Sequence, residues 1–406
     1  MDFDVSETMH TILDMVRSFM DAEVIPLEGE MLFGQQADLD TAVAKLQERV
    51  HQMGLWASNH PVEFGGLGLN MVEHGLLSEA LGRSPLGHLV FGVQAPDAGN
   101  VEILHSHATD EQRERYLRPL VEGKIRSCFS MTEPDMPGSN PVMMGTTAVK
   151  DGRDYVINGH KWFTSSADGA DFAIVMAVTN PDAPPHQRAS MILVPTDTPG
   201  FNLIRNVSVM GHAGSGHASH AEIIYQSCRV PQTNLLGSEG DGFIIAQERL
   251  GPGRIHHCMR WIGIASRSFD MMCARANERV ITADGETLAD RQVIQHWTAE
   301  LDAEIRGARL QTLHAAWMID SYGVKAARDE ISAIKFSVAN TMLHAVDTAI
   351  QVHGALGVTD DTVLSHWYRH ERAARIYDGA DEVHKTTLGR RILRRYANGA
   401  ASKAGY

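Results

Sequence analysis

The residues with the clearest chemical potential lie near the C-terminus, in Ile376-Tyr377-Asp378-Gly379-Ala380-Asp381-Glu382-Val383-His384-Lys385. An acid stands there beside a glycine, after a basic and apolar segment, Trp367 to Arg375, that reads as a helix, and before a second helix through Arg395. A carboxylate at such a break sits at the mouth of a helical bundle rather than on a solvated face, and the glycine lets the backbone approach a ligand because no Cβ intervenes. That combination suits a general base, with Asp378 accepting the proton. Taken alone, the pattern is better described as a helix C-cap with a surface acid.

Four further stretches carry candidate site residues. Phe129-Ser-Met-Thr-Glu-Pro-Asp-Met-Pro-Gly-Ser-Asn140 is a turn-rich loop whose amides and hydroxyls can meet the carbonyls and ring nitrogens of a flavin, and approach phosphate. In Asn158-Gly-His-Lys-Trp-Phe-Thr-Ser165 an aromatic pair after a tight turn can wall one face of such a ring, with Thr164 offering a hydroxyl; a buried strand aromatic is the alternative. In Glu248-Arg-Leu-Gly-Pro-Gly-Arg-Ile-His-His-Cys-Met-Arg260 the run Gly251-Pro252-Gly253 predicts a helix start with Pro in its first turn. It is no dinucleotide fingerprint, since His256 stands at a required glycine and no βαβ unit begins there. Adjacent His256 and His257 point ~100° apart on a helix and make poor joint metal ligands, so no metal is expected. Gln351-Val-His-Gly-Ala-Leu-Gly-Val358 follows a long helix and reads as a C-cap with two glycines.

The elements that position these stretches follow from periodicity. Met9, Ile12, Leu13, Val16 and Met20 recur at helical spacing, as do Ala42, Leu46, Val50 and Met53, so residues 1–124 read as an all-α domain. The glycine-rich connector from Gly54 to Leu69 lacks the strand and Lys-Ser/Thr of a phosphate-cradling loop. From Lys124 the period shortens. Asp151-Gly152 and Asn158-Gly159 predict turns around Asp154–Ile157, and the apolar runs 172–178, 191–194 and 221–225 predict strands, giving a β-sandwich or barrel over 125–236. From Gly242 helices return along Ile255, Met259, Ile262, Phe269 and Met272 and along Ile331, Ile334, Val338, Met342, Val346 and Ile350. Residues 237–406 therefore read as a four-helix bundle, with an Ala/Gly-rich tail after Ala397 that should fray. The class is α+β and multidomain.

With 406 residues, 43% hydrophobic and 21% charged, the chain can bury a large core and is not expected to be disordered. A net charge of −14 disfavours nucleic acid and acidic membranes, though not a local basic pocket for an anion. Cys128, Cys228, Cys258 and Cys273 show no CxxC spacing and read as free thiols. No signal sequence or bilayer-length apolar run stands out, so the sequence-based expectation is a cytoplasmic protein without membrane insertion.

Taken in order, these stretches resemble the acyl-CoA dehydrogenase family over nearly the whole chain, with Asp378 where most members carry a catalytic Glu. The resemblance implies FAD as cofactor, an acyl-CoA substrate and α,β-dehydrogenation to a trans-2-enoyl-CoA, as in fatty-acid β-oxidation, with an electron-transfer flavoprotein as acceptor. It places Phe129, Met131, Thr132, Gly138, Ser139, Trp162, Phe163 and Thr164 at the flavin, without choosing which aromatic stacks; one extra residue sits between Pro134 and Gly138. It places Arg279, Gln351 and Gly354 at the FAD of a neighbouring subunit, with Ala355 replacing a family glycine, and adds Asp381 and Glu382 to the cofactor set. Arg254, Ser139, His257 and Gly379 fall at the substrate. A homodimer or homotetramer is implied. A family subset carries its base one position before Arg254, but residue 253 is Gly, which leaves Asp378. The stretches from Arg249 to Arg260 and from Asp378 to His384 are most similar to the branch that animals carry fused to an aminoglycoside-phosphotransferase-like kinase domain, linked to 4-hydroxy and 4-phospho acyl-CoA. Nitroalkane oxidase, which also uses Asp, and a non-catalytic scaffold are the alternatives.

Overall fold

A computed structural model describes residues 5–397; the fraying expected after Ala397 lies outside them. Helix α1 (Glu7–Phe19) opens where the Ser6 side chain accepts the Met9 N–H, and it buries Met9, Leu13, Val16 and Phe19. Helix α2 (Glu28–Phe33) leads into α3 (Gln36–Gln52), whose buried face is Leu39, Val43, Leu46 and Val50. Asn70 and Glu73 form a capping box at the start of α4 (Met71–Leu81), and α5 (Gly87–Val90) follows.

Helices α6 (Asp97–His107), α7 (Asp110–Gln112) and α8 (Arg118–Val121) precede the strands. These are β1 (Ser127–Ser130), β2 (Thr147–Asp151), β3 (Asp154–Ser165), β4 (Phe172–Val178), β5 (Ala189–Pro195), β6 (Phe201–Asn206), β7 (His220–Pro231) and β8 (Leu235–Leu236). The sheet order is β6-β7-β3-β2-β4-β5-β8, with β1 parallel to β4. Strand β4 is apolar throughout because both of its faces are covered. Phe172, Ile174 and Met176 join a core with Leu104, Leu117 and Ile245, whereas Ala173, Val175 and Ala177 join another with Tyr155, Ile157 and Tyr225.

Asp151-Gly152 forms the expected hairpin turn, with Gly152 at φ 64°. Asn158-Gly159 does not turn the chain: it lies inside β3, at a bulge against β7. The Asn158 side chain accepts the Ser227 N–H, and a Cβ on Gly159 would stand 2.2 Å from Thr146 Oγ1, so the dipeptide serves a close strand approach instead.

Helix α9 (Gly242–Glu278) begins at the Gly242 from which helices were expected to return, and it runs through Gly251-Pro252-Gly253, where the local signal predicts a separate start. Buried Ile245 and Ala246 give those earlier turns a core to pack on, which outweighs the start signal. After it come α10 (Gln292–Tyr322), α11 (Arg328–His353), α12 (Val363–Glu371) and α13 (Asp381–Ala397), with α11 packed against the other three. The helical–β–helical order matches the sequence reading.

The chain falls into two compact units: a helical unit of the residues through Gln52, Leu69–Val90 and those from Gly251, and a sheet unit of Met53–Gly68 and Phe91–Leu250. All four cysteines are free; Cys273 is only half-buried. Among the described residues no helix is long and apolar enough to cross a membrane, and no group of three or more His, Cys, Asp and Glu is placed to hold a metal ion.

Candidate active site

In the helical unit, the chain leaves α12 through a 3-10 turn, Arg372–Arg375, and reverses at Asp378 and Gly379 before α13. Both residues are left-handed, with φ of 53° and 98°. Asp is among the few non-glycine residues that adopt this conformation at modest cost. A Cβ on Gly379 would stand 2.6 Å from His384 Nε2, so residue 379 is confined to glycine by conformation and by space.

Three side chains fasten this turn by its backbone. Arg254 Nε and Nη2 donate to the Asp378 carbonyl at 3.4 and 3.3 Å, and His384 Nε2 approaches the same oxygen at 3.2 Å. Lys335 Nζ donates to the carbonyls of Ala374, at 2.7 Å, and Gly379, at 3.3 Å. Burial lowers Arg254 and Lys335 from their ordinary values, and in both the Asp378 carboxylate opposes that shift. Burial and then the Arg254 charge bring His384 down to about 4. The Asp378 carboxylate, its side chain 20% exposed, lies 3.2 Å from His257 Nε2.

Behind the turn, Arg260 binds Glu371 at 2.6 and 2.7 Å and donates to the Tyr377 hydroxyl at 3.1 Å, while Trp261 Nε1 donates to Glu371. Burial works against the Arg260 charge, but Glu371 and Tyr377 hold it above its ordinary value. The helical phase separates the two histidines as expected. His257 faces Asp378, whereas His256 turns to His74, 3.2 Å away, and to the edge of His88.

Asp378, Gly379, Arg254 and His257 are thus brought together. Asp381 is buried and binds Arg375 and Asn340. Glu382 is exposed, as are Arg279 past α9 and Gln351 on the last turn of α11; Gly354 ends that helix at φ 64°. Lys335, His384, Tyr377 and Glu371 were given no site role in the sequence reading. Lys335 had a signal: it shares the α11 core face with Ile331 and Val338.

In the sheet unit, the loop after β1 is locked to β3. Thr132 Oγ1 donates to the Trp162 carbonyl at 2.8 Å, and Trp162 N–H donates to the Thr132 carbonyl. Buried Glu133 accepts from Gly145 N–H, Thr146 N–H and Lys161 Nζ at 2.7–2.9 Å, and Lys161 also donates to the Met131 carbonyl. Burial pushes Lys161 down to about 8; the cation and the Thr146 donors overcome burial at Glu133 and hold it below the usual range. Met131, Thr132, Pro137 and Gly138 line a shallow cavity, and Ser139 is exposed beyond it.

Phe163 is left-handed, at φ 49°, where the β3–β7 register shifts, and 43% exposed; its ring lies 4.9 Å from that of half-buried Trp162. Phe129 lies under the Arg249 guanidinium, 4.2 Å from it. The Thr164 hydroxyl is internal, 3.3 Å from Ser130 Oγ, because the bulge at Phe163 turns residue 164 inward. An open aromatic pair beside an apolar loop rich in backbone donors fits a flat ring with polar edges.

Three family models match the chain: the acyl-CoA dehydrogenase N-terminal domain over residues 6–124, the middle domain over 128–228 and the C-terminal domain over 240–393. The chain belongs to the acyl-CoA dehydrogenase family. This family member is 45% identical over 383 residues to the probable acyl-CoA dehydrogenase FadE2 of Mycobacterium tuberculosis, covering 90% of this chain and 92% of that one. It is 40% identical over 403 residues to acyl-CoA dehydrogenase family member 11 of Homo sapiens, with 97% of this chain matched to 51% of the relative. The chain therefore spans about half the length of that animal relative. A solved Mycobacterium abscessus structure assigned to the acyl-CoA dehydrogenases superposes with a TM-score of 0.92 at 37% identity, covering 97% of this chain and 100% of that one. Family and fold together make this chain an oxidoreductase of the acyl-CoA dehydrogenase type.

Proposed function

We propose that the protein is an FAD-dependent acyl-CoA dehydrogenase that uses Asp378 to remove the α-proton of a CoA thioester, yielding the trans-2-enoyl-CoA. The observation that carries this reading is a half-buried carboxylate on a left-handed turn whose backbone is fixed by Arg254, His384 and Lys335. A thioester α-proton is weakly acidic, so the base must be held in place and the developing enolate stabilised at once. The fastened turn supplies the first condition, and backbone N–H groups of the same turn are the candidate donors for the second.

Met131, Thr132 and Gly138 would hold FAD, with Trp162 or Phe163 walling its ring, and when bound it would supply the acceptor for the hydride leaving the β-carbon. Arg279, Gln351 and Gly354 are proposed to serve a second copy's cofactor in a homodimer or homotetramer, and an electron-transfer flavoprotein to reoxidise the enzyme. Arg254 and Lys335 beside a single base also suit an acyl chain bearing an anionic 4-substituent, which favours 4-phospho acyl-CoA within the substrate class.

The test is an anaerobic absorbance titration with acyl-CoAs, 4-hydroxy and 4-phospho acyl-CoAs, and a nitroalkane. Bleaching of a flavin band by a thioester, lost in Asp378→Asn with FAD and CoA still bound, is the expected result. Bleaching by the nitroalkane alone would move the protein to the oxidase reading. Turnover that survives Asp378→Asn would remove Asp378 from the role of base.

A further inference from the structure

A base one methylene shorter than Glu loses ~1.2 Å of reach, and a misplacement of about 1 Å can cost on the order of 10²-fold in rate. Fixing the backbone of Asp378 does not by itself fix its carboxylate, which still turns about its own side-chain torsions. His257 meets that carboxylate. His257 Nε2 lies 3.2 Å from Asp378 Oδ2, with the two side chains 15% and 20% exposed.

The imidazole is held on both sides. It stacks on Trp261, with centroids 6.1 Å apart and planes at 23°, and meets the Tyr377 ring edgewise at 5.6 Å. Trp261 and Tyr377 are in turn tied to Glu371 and Arg260. The other ring nitrogen, Nδ1, is buried with no hydrogen-bond partner among the described residues. A proton placed there would be a buried donor without an acceptor, which costs about 1–3 kcal/mol. The tautomer carrying its proton on Nε2 avoids that cost, and it is the one that donates to an ionised carboxylate.

We propose that His257 is a positioning residue for Asp378, its Nε2–H holding Oδ2 so that the short acid is presented to the substrate in one orientation. The role rests on Asp378 being the base, and it replaces direct substrate contact as the function of His257. The neighbouring charged and titratable groups in the helical unit divide the work. Arg254 on α9 and His384 on α13 bind the Asp378 carbonyl, and Lys335 on α11 binds those of Ala374 and Gly379. Asp381 is paired with Arg375, and burial pushes the Cys258 thiol up to about 12, so the thiol stays protonated near neutral pH.

The test compares wild type, His257→Phe and His257→Gln, each labelled with ¹³C at aspartate carboxyls, the Asp378 signal being the one lost in Asp378→Asn. Phe keeps a ring against Trp261 but donates nothing; Gln places an amide N–H where Nε2 was. Loss of a donor to the charged form raises a carboxyl, so the Asp378 titration should move up by on the order of one pH unit in His257→Phe and stay near wild type in His257→Gln. Flavin reduction by a saturating acyl-CoA should slow by roughly 10- to 100-fold in His257→Phe, with thioester affinity within about threefold, and recover in His257→Gln.

An unshifted titration and wild-type reduction in His257→Phe would overturn the proposal, as would His257→Gln as impaired as His257→Phe. A ¹⁵N-histidine spectrum of the wild type tests the same contact without relying on a folded variant. It should show His257 protonated at Nε2 and perturbed in Asp378→Asn, and protonation at Nδ1 would refute the assignment. If no thioester reduces the wild-type flavin, the acyl-CoA reading fails, while both NMR arms still report on the contact itself.

Discussion

At the scale of single residues, the turn at Asp378 sets conformational and chemical demands that substitutions can separate. Asn tolerates the left-handed region nearly as well as Asp, whereas a residue such as Ala is disfavoured there by roughly 1–2 kcal/mol. Both variants remove the charge that supports Arg254 and Lys335, so the backbone effect is read from their difference: Asp378→Ala should unfold in urea about 1–2 kcal/mol below Asp378→Asn. Equal stability of the two variants would mean that the left-handed turn is not held in solution. Gly379→Ala meets strain at φ 98° and a 2.6 Å approach to His384. It should lose activity even with Asp378 intact, because either the turn or the His384 ring that fastens it must give way to the methyl. Much of this site was legible beforehand. The Asp-Gly pair marks its own break, and the adjacency of His256 and His257 dictates that only one can face it. The clamps were legible only in part: Lys335 shares the core face of α11 with Ile331 and Val338, but that it and His384 reach this turn is set by tertiary contacts that no sequence spacing encodes.

At the scale of elements, the loop after β1 depends on one buried ion pair. Removing a single partner of such a pair leaves the other charge uncompensated and costs about 3–5 kcal/mol, whereas replacing both is far milder. Lys161→Met should accordingly lower the unfolding midpoint and release flavin at a lower temperature than wild type. The double variant Glu133→Gln with Lys161→Met should recover a good part of both, because Gln still offers an oxygen to the Gly145 or Thr146 N–H. Melts followed by flavin fluorescence and by circular dichroism check this, and a single variant melting with wild type would contradict it. The elements themselves were readable wherever period and punctuation agreed, as in α1, α3 and the apolar runs of β4 and β5. They were misread where a local signal met a tertiary demand. Asn158-Gly159 carries the strongest short turn signal, yet Thr146 leaves no room for a Cβ, and the glycine is spent on strand contact. Gly251-Pro252-Gly253 marks a helix start, yet buried Ile245 and Ala246 draw the helix back to Gly242.

At the scale of the whole molecule, the buried ionisable groups set how stability responds to acid. Burial brings His74 and His217 down to about 4, and His384 likewise with help from Arg254. Burial, together with neighbouring cationic groups, puts His88 and His256 well below their ordinary value. All five are neutral in the folded protein at pH 5, whereas an unfolded histidine, with a value near 6.5, is protonated there. The unfolded state thus binds more protons, so these groups make stability fall as pH drops from about 6.5 toward 4. Two carboxyls act in the opposite sense: burial raises Asp97 to about 6 and Glu102 to about 7, so each keeps a proton at pH 5 that its unfolded form has largely lost. Among these groups, five histidines set against two carboxyls leave about three protons taken up on unfolding near pH 5, and His51, His220 and His353, also lowered by burial, act in the same sense as the five. At roughly 1.4 kcal/mol per proton per pH unit, stability should fall by about 4 kcal/mol for each unit in this region. For a domain whose total is about 5–15 kcal/mol, that is a steep loss. Urea unfolding at pH 7, 6 and 5 should show midpoints dropping steeply below pH 6, and exchanging His74 for Gln should reduce the slope by about one proton. A flat profile from pH 7 to 5 would mean that these histidines are already charged in the folded state, and the neutral pocket around His256 would have to be abandoned.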